Sequence, residues 1–218
     1  MKYKLIIFDL DGTLVDAYTA IEKSFNFALS SLGYSKESFD VIKRAVGWGD
    51  KNLLAPFIDK NDLNKALLIY RRHHQKSLLK YSKVFSGAKS LLQYLKNKKI
   101  KLAIATNRPT KFTKILLKYL NLDKYFDMVL CGDKLRKMKP HPEILQKIMH
   151  KLKADKDSTL FVGDMTVDIE TAKAAKIDSV AVLTGSSTKK ELSALKPNKI
   201  IKHVSELKKL LLPRWKKN

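Results

Sequence analysis

Four short segments of the chain carry acidic, hydroxyl and cationic side chains that could together hold a metal ion and an anion. The first contains Asp9 and Asp11, directly after the apolar run LIIF. Residues i and i+2 of an extended strand point to the same side, so the two carboxylates are expected to emerge together. Such a pair repels unless a proton or a cation intervenes, and Mg²⁺ prefers oxygen ligands of this kind. Gly12 permits a sharp turn immediately afterwards.

Candidate donors for an anion follow in the second and third segments. Thr106 and Asn107 come directly after the apolar run LAIA, where a hydroxyl and an amide could act beside backbone N–H groups at a helix start. Lys139 lies in the sequence KPHP, whose two prolines stiffen the backbone and could hold its ammonium group in a fixed position. A Lys ammonium group is a point charge suited to a phosphate.

The fourth segment, GDMTVD, supplies two further acids. Asp164 follows the apolar run LFVG, much as Asp9 follows LIIF, and is a candidate metal ligand. Asp168 lies four residues further on, at a predicted helix start. A carboxylate there could cap the helix and interact with the positive end of its dipole, or it could act at the metal. Both interpretations are open at this stage.

An alternating pattern of strands and helices must position these segments. Such alternation is typical of an α/β protein with a doubly wound, mostly parallel sheet, which binds its ligands at the carboxyl ends of the strands. The predicted strands are residues 5–8, 102–105, 127–131, 160–162 and 179–183. The predicted helices of this part of the chain are residues 87–95, 110–120, 142–152 and 167–175.

The first predicted strand is separated from the second by a long segment with helical periodicity and no convincing strand. Its apolar residues recur at helical spacing up to a stop at Gly33, and again along a long helix that ends near Tyr81. We therefore expect a discontinuous core, residues 1–16 and 82–218, with an α-helical cap domain, residues 17–81, inserted into it. The final PRWKKN is expected to be a frayed basic end.

One loop of the predicted cap is a candidate for contact with a substrate. Lys43 and Arg44 precede the segment GWG, which is either an ordinary turn with a buried Trp or a substrate-facing loop in which Arg44 and Gly47 bind. Arg44 is preferred to Lys43 because a guanidinium binds a carboxylate through two parallel hydrogen bonds. His73 and His74 are helix neighbours that point about 100° apart, which disfavours a shared metal site.

Composition narrows the class of protein. The chain has 218 residues, 44% of them hydrophobic, and no apolar run approaches the ~20 residues needed to cross a bilayer. The first residues carry no signal-peptide pattern, and the single Cys131 lies in an apolar stretch, so a cytoplasmic protein with a buried thiol is expected. The net charge of +23 could indicate nucleic acid. The lysines are spread evenly without interleaved aromatics, however, which favours general attraction of small anions.

The four segments, DLDGTLVD, TNRP, KPHP and GDMTVD, resemble in order motifs I to IV of the haloacid dehalogenase-like (HAD) superfamily. The second segment resembles the TNKP form of phosphoglycolate phosphatase-like members. The helical insert between motifs I and II resembles the small cap of subgroup I. The resemblance covers essentially the whole core and implies a Rossmann-like HAD sheet.

The resemblance also implies a Mg²⁺-dependent phosphatase that acts on a small phosphate monoester, such as phosphoglycolate, through an aspartyl-phosphate. Asp9 would be the nucleophile and Asp11 the general acid and base. Mg²⁺ would be held by Asp9, the backbone carbonyl of Asp11 and Asp164, with Asp168 orienting a water molecule on the metal. The implied ligands of the phosphoryl oxygens are Thr106, Asn107 and Lys139.

Several alternatives share these motifs. Asp11 argues against the dehalogenase and phosphonatase branches, which lack this acid. A phosphosugar mutase of the β-phosphoglucomutase type, a pyrophosphatase and a nucleotidase remain open, and a basic nucleic-acid-binding protein is a remote alternative from a different class. The expected partner is a small phosphorylated metabolite, with no membrane and no specific nucleic acid, and the expected assembly is a monomer or a homodimer.

Overall fold

Eight strands and ten α-helices make up residues 2–211, which are the residues described by the computed structural model of the chain. The predicted basic end PRWKKN lies outside them. The strands are β1 (Leu5–Phe8), β2 (Val15–Asp16), β3 (Lys83–Val84), β4 (Lys101–Thr106), β5 (Met128–Cys131), β6 (Thr159–Gly163), β7 (Asp178–Val182) and β8 (Lys199–Ile201). The helices are α1 (Tyr18–Ser31), α2 (Phe39–Ala45), α3 (Asp50–Leu54), α4 (Leu63–Tyr81), α5 (Ala88–Asn97), α6 (Thr110–Tyr119), α7 (Glu143–Leu152), α8 (Thr166–Ala175), α9 (Lys189–Ala194) and α10 (Leu207–Leu211).

A six-stranded sheet in the order β5–β4–β1–β6–β7–β8 forms the centre of the core, and all its described pairings are parallel. Strand β1 lies between β4 and β6, with Phe8 in register with Ile104 on one side and Val162 on the other. The carboxyl ends of these three strands therefore meet at one edge of the sheet. This arrangement confirms the predicted doubly wound α/β fold.

Both faces of the sheet are covered, which explains why its strands read as continuous apolar runs. Successive residues of a strand point to opposite faces. Ile6 and Phe8 accordingly belong to the apolar cluster that includes α5 and α6, whereas Leu5 and Ile7 belong to the cluster that includes α7 and α8. All four side chains are fully buried. The fully buried strand β1 thus ends immediately before Asp9.

The helices between β2 and β3 have a hydrophobic core of their own, built largely from α1 and α4. On the core side of these helices, β2 pairs with β3 in antiparallel orientation, with Val15 opposite Val84. This short pairing lies at the two crossings between the core and the inserted helices. We therefore propose that the cap domain spans residues 17–81 and the core residues 1–16 and 82–218.

The structure adds three strands to the predicted pattern, namely β2, β3 and β8. Two or three residues are too few to show a period of two, so such strands leave no pattern in the sequence. Within residues 2–211, no helix is long and apolar enough to cross a membrane.

Truncating Phe25 should specifically weaken the cap. Phe25 is fully buried in the cap core and meets Phe57 edge to face at 5.1 Å, whereas Phe27 on the same helix is 49% exposed. Phe25→Ala is expected to lower the free energy of unfolding by about 3–5 kcal/mol, measured with urea. Phe27→Ala, the matched control, should cost less than about 1 kcal/mol. Equal losses would mean that the packing assigned to Phe25 is incorrect.

Candidate functional site

Three buried carboxylates converge at the edge where β1 and β6 end. Asp9 follows β1, Asp164 follows β6, and Asp168 lies in the first turn of α8. One carboxylate oxygen from each lies within 4.8 Å of the others, and all three side chains are nearly inaccessible to solvent. The sequence analysis placed these acids in one site, and the structure brings them together.

Lys139 lies among these acids. Its Nζ donates to Asp9 Oδ1 at 2.7 Å, to Asp168 Oδ1 at 2.6 Å and to the carbonyl of Ala105 at 3.1 Å. Only 3% of its side chain is exposed. Burial alone would lower the pKa of Lys139, but the adjacent carboxylates of Asp168 and Asp9 outweigh burial and raise that pKa. The ammonium group is therefore charged and fixed in place.

One ammonium group does not neutralise the cluster. Burial raises the pKa of Asp9 to about 7, and the charges of Asp168 and Asp11 add to this rise against the opposing effect of Lys139. Burial, followed by repulsion from Asp9 and Asp168, also raises the pKa of Asp164 well above its usual value. The protein environment thus leaves an excess of negative charge that a bound cation would relieve.

Hydrogen bonds and close backbone approach fix Asp164. Its Oδ1 accepts from the Thr13 hydroxyl at 2.8 Å, and its Oδ2 lies 3.3 Å from both the Tyr18 hydroxyl and the Ser186 N–H. A Cβ atom on Gly185 would lie 1.6 Å from Asp164 Oδ2. Glycine at this position is therefore needed for the carboxylate to occupy the site.

Asp168 has the helix-capping role that the sequence left open, whereas its role at the metal stays a prediction. Its Oδ2 accepts the backbone N–H groups of Asp164 and Met165 at 3.2 and 3.0 Å, as a capping carboxylate does. Its Oδ1 accepts from Lys139. The Asp168 side chain therefore caps the start of α8 and also orients the ammonium group of Lys139.

The two predicted donors at the carboxyl end of β4, Thr106 and Asn107, make contacts that the sequence did not predict. Thr106 is buried, and its hydroxyl oxygen accepts the Arg108 N–H at 3.1 Å. The Asn107 amide donates to the carbonyls of Gly47 and Lys139 at 2.9 and 3.2 Å, and its oxygen accepts the Lys139 N–H at 3.1 Å. Asn107 thus joins the cap loop to the segment that carries Lys139, and both hydrogens of its amide are engaged. The roles of Thr106 and Asn107 at a phosphoryl group stay predictions.

Sequence reasoning missed the partner of Asp11. Arg108 is buried and grips the Asp11 carboxylate with two parallel hydrogen bonds, Nε to Oδ2 at 2.8 Å and Nη2 to Oδ1 at 2.6 Å. Its Nη1 lies 2.9 Å from Nε2 of His74, a buried residue of α4. The available signal was a cation two residues after Thr106 in the motif TNRP, at the carboxyl end of a strand.

Arg44, the expected carboxylate-binding residue of the cap, lies outside the cavity. Its guanidinium pairs with Glu191 of α9, with Nη1 3.0 Å from Oε2, and donates to the carbonyl of Ser186. About half of the Arg44 side chain is exposed. Lys43 approaches the ring of Tyr18. Gly47 does line the cavity, so of the cap-loop expectations only Gly47 is placed beside Asp9 and Asp11.

The donor set fits the predicted Mg²⁺. All the candidate ligand atoms are oxygens, the donor class that Mg²⁺ favours, and they are buried beside one another. The site contains the four carboxylates named above and two cations, Lys139 and Arg108. When all of them are ionised, two negative charges remain, which is the charge that one divalent cation balances. Asp9 and Asp164 are the side chains that could hold it.

A buried carboxylate cluster with a fixed lysine, located at the strand ends of a doubly wound sheet, is typical of the active site of an α/β enzyme. The family model of haloacid dehalogenase-like hydrolases matches residues 6–182. The chain belongs to this family, and the resemblance found in the sequence is confirmed.

Similar proteins and a solved structure support the phosphoglycolate phosphatase-like subgroup of this family. The chain is 30% identical to a phosphoglycolate phosphatase of Aquifex aeolicus over 208 residues, covering 95% of this chain and 96% of the relative. It is 32% identical to the putative pyrophosphatase PpaX of Caldanaerobacter subterraneus over 213 residues, covering 97% and 96%. A crystal structure of a predicted phosphoglycolate phosphatase from Haemophilus somnus superposes with a TM-score of 0.93 at 26% identity, covering 97% and 99%.

Removal of metal should destabilise the protein more at high pH. The folded-state pKa of Asp9, about 7, lies above its unfolded value near 3.8, so its contribution to stability is full below pH 3.8 and is lost as the pH rises through 7. A bound divalent cation would offset that loss. A chelator is therefore expected to lower the melting temperature more at pH 8 than at pH 6.

The matched variants for this measurement are Asp9→Asn and Asp157→Asn. Asp9→Asn should remove most of the difference between the two pH values, whereas Asp157→Asn, at an exposed acid far from the cluster, should behave as wild type. An equal effect of the chelator at pH 6 and pH 8 would contradict the assigned charge balance.

Proposed function

We propose that the protein is a Mg²⁺-dependent phosphatase that hydrolyses a small phosphate monoester with a leaving group of the phosphoglycolate type. The observation that carries this proposal is the contact of Lys139 with Asp9 Oδ1 at 2.7 Å inside a cluster of carboxylates. A charged nitrogen this close to a carboxylate can bind an oxygen of the group that the carboxylate attacks. The family and the names of the relatives support the same reaction class.

The reaction takes place in two steps on this chain's own residues. Asp9 attacks phosphorus and forms an aspartyl-phosphate, while the bond to the leaving oxygen breaks and Asp11 donates a proton to that oxygen. Asp11 then accepts a proton from water, whose oxygen attacks phosphorus and releases Asp9 and inorganic phosphate. Lys139 stays in place throughout because Asp168 and the Ala105 carbonyl hold it. Bound Mg²⁺ would balance the negative charge on the phosphoryl oxygens.

The cavity favours a small leaving group. It is a partly open cavity between the cap and the core, with a volume of about 60 Å³. Apolar side chains of the cap, including Ile21, Val46 and Leu53, form part of its wall together with Phe112 of the core. Closure of these residues over a bound substrate would exclude water from the reacting groups, so the cap would serve as a lid over Asp9 and Asp11.

A pyrophosphatase is the second candidate function, and the identity to a relative named as a putative pyrophosphatase favours it. The two substrates share a phosphoryl group beside a second anionic group. The proposed partner is thus a small phosphorylated metabolite, and the proposed location is the cytoplasm. The lone Cys131 is a buried thiol whose pKa is raised by burial, which accords with a structural rather than a nucleophilic role.

Substitution of the paired acids should separate their roles. Asp9→Asn preserves shape but removes the nucleophile, so release of phosphate from 2-phosphoglycolate or pyrophosphate should fall to background. Asp11→Asn removes the proton carrier and should lower kcat by about 10²–10⁴. Asp157→Asn is the control and should retain full activity. An Asp9→Asn enzyme that works at a near wild-type rate would show that Asp9 is not the nucleophile.

Loss of Lys139 should weaken the binding of phosphate analogues. Lys139→Ala is expected to raise the inhibition constants of vanadate and inorganic phosphate, because the buried charge that would hold their oxygens is gone. Lys137→Ala, two residues away and exposed, should leave them unchanged. Circular dichroism should first verify that both variants fold. Unaltered vanadate inhibition in folded Lys139→Ala would place Lys139 outside the anion site.

A further inference from the structure

We propose that Arg108 recognises a second anionic group on the substrate, located on the leaving group within one carbon of the bridging oxygen, and that Asp11 occupies this position until the substrate arrives. This inference rests on the proposed phosphatase function. It is motivated by a cation within the segment TNRP that has no role among those implied for the four motifs. The Arg108 side chain is only 6% exposed, and it lines the same cavity as Asp9 and Asp11.

The bond between Arg108 and Asp11 conflicts with the role of Asp11 as an acid. Both carboxylate oxygens accept hydrogens from the guanidinium, at 2.8 and 2.6 Å. While the guanidinium occupies both oxygens, neither can form a hydrogen bond with a leaving oxygen. The pair must therefore separate when a substrate is bound, so that Asp11 can reach the bridging oxygen.

Separation leaves a buried guanidinium that needs another anion. An uncompensated buried charge is strongly unfavourable, whereas exchange of one carboxylate for another keeps the charge paired. The planar fork of an arginine fits a carboxylate of the substrate as well as it fits Asp11. The exchange breaks no covalent bond, and the proton that Asp11 later donates to the bridging oxygen comes from water once Arg108 no longer occupies its oxygens. An anionic group beside the bridging oxygen would take the place that Asp11 leaves, so binding of that group and release of Asp11 are one event.

The composition of the cavity wall leaves this role to Arg108. Among the described residues that line the cavity, the cationic side chains are Arg108 and Lys139. Lys139 is already engaged by Asp9 and Asp168 and faces the phosphoryl position. Arg44 is paired with Glu191 outside the cavity. A second anionic group inside the cavity therefore has Arg108 as its cationic partner.

Residues of the cap orient the Arg108 guanidinium. Because an arginine is always protonated, Nη1 must donate to Nε2 of His74, and His74 must then carry its hydrogen on Nδ1. That Nδ1 lies 3.1 Å from Ser24 Oγ, and Ser24 donates in turn to the Ala20 carbonyl at 2.8 Å. Burial, and then the charge of Arg108, lowers the pKa of His74 well below its usual value, so the ring is neutral. His74 is a positioning residue for Arg108.

The experiment compares substrates that differ in the second anionic group. Ethyl phosphate has the chain length of 2-phosphoglycolate without its carboxylate, and pyrophosphate carries a phosphate instead. For whichever anionic substrate the wild-type enzyme prefers, Arg108→Gln is expected to lower kcat/KM about ten- to a hundredfold, largely through KM. Hydrolysis of ethyl phosphate should rise rather than fall, because this substrate has no anion to displace Asp11 and Arg108 no longer holds that carboxylate. Arg72→Gln, at an exposed arginine on α4, is the matched control and should act as wild type.

Three further variants keep the test decisive if Arg108→Gln folds poorly. Arg108→Lys retains the charge without the fork and should lose part of the preference. His74→Gln offers an amide oxygen in place of Nε2 and should retain the preference, whereas His74→Ala should raise KM for the anionic substrate alone.

The possible outcomes separate this inference from the proposed function. A wild-type enzyme that hydrolyses none of the three substrates would overturn the phosphatase proposal, and the inference with it. A wild-type enzyme that hydrolyses all three equally well would overturn the inference alone. So would an Arg108→Gln or Arg108→Lys enzyme with an unchanged preference, or a preference that is lost in Arg44→Gln instead.

Discussion

The contact of Lys139 with Asp9 and Asp168 is the interaction on which the rest of the site depends. Three carboxylates can meet at the strand ends only if a cation lies among them, because repulsion and burial both oppose their charge. The lysine reaches this position from a segment that Asn107 holds through the backbone of Lys139 itself. Asp9, the start of α8 and the end of β4 are thereby coupled through one ammonium group. Removal of that group would leave the buried charges of Asp9 and Asp168 unpaired.

The core of the site could be predicted because its signals are local. An apolar run followed by an acid predicts both a strand and the point where it ends. This pattern occurs at Asp9 and again at Asp164. The parallel sheet then brings neighbouring strand ends together without any further information. The helix-capping contacts of Asp168 were one of its two predicted roles, but its contact with Lys139 was not predicted, because the two residues lie in different parts of the chain.

The inserted helices obey a different constraint. The helical periodicity of the insert predicts which helix faces are buried, but it does not predict how the cap is positioned on the core. Arg44 looked suitable because it precedes a glycine-rich loop, yet α2 turns it toward Glu191. The contact of Arg108 with His74 joins residues that lie 34 positions apart in the sequence. Arg108 belongs to the proposed core, and His74 belongs to the proposed cap. No local pattern specifies such a pair, so the sequence could reveal Arg108 only as one cation among many.

The contacts between cap and core differ in energetic character, and this difference indicates where the position of the cap matters chemically. The ion pair of Arg44 and Glu191 is largely exposed, and pairs of this kind contribute about 0–1 kcal/mol. The contact of His74 with Arg108 is buried and tied to Asp11, so its loss would leave polar groups unsatisfied inside the molecule. Displacement of the cap therefore costs little free energy where it breaks the exposed ion pair of Arg44, and much more where it breaks the buried contact of Arg108. An anion bound to Arg108 in the cavity would therefore affect the position of the cap on the core more than a change at the exposed pair of Arg44 and Glu191 would.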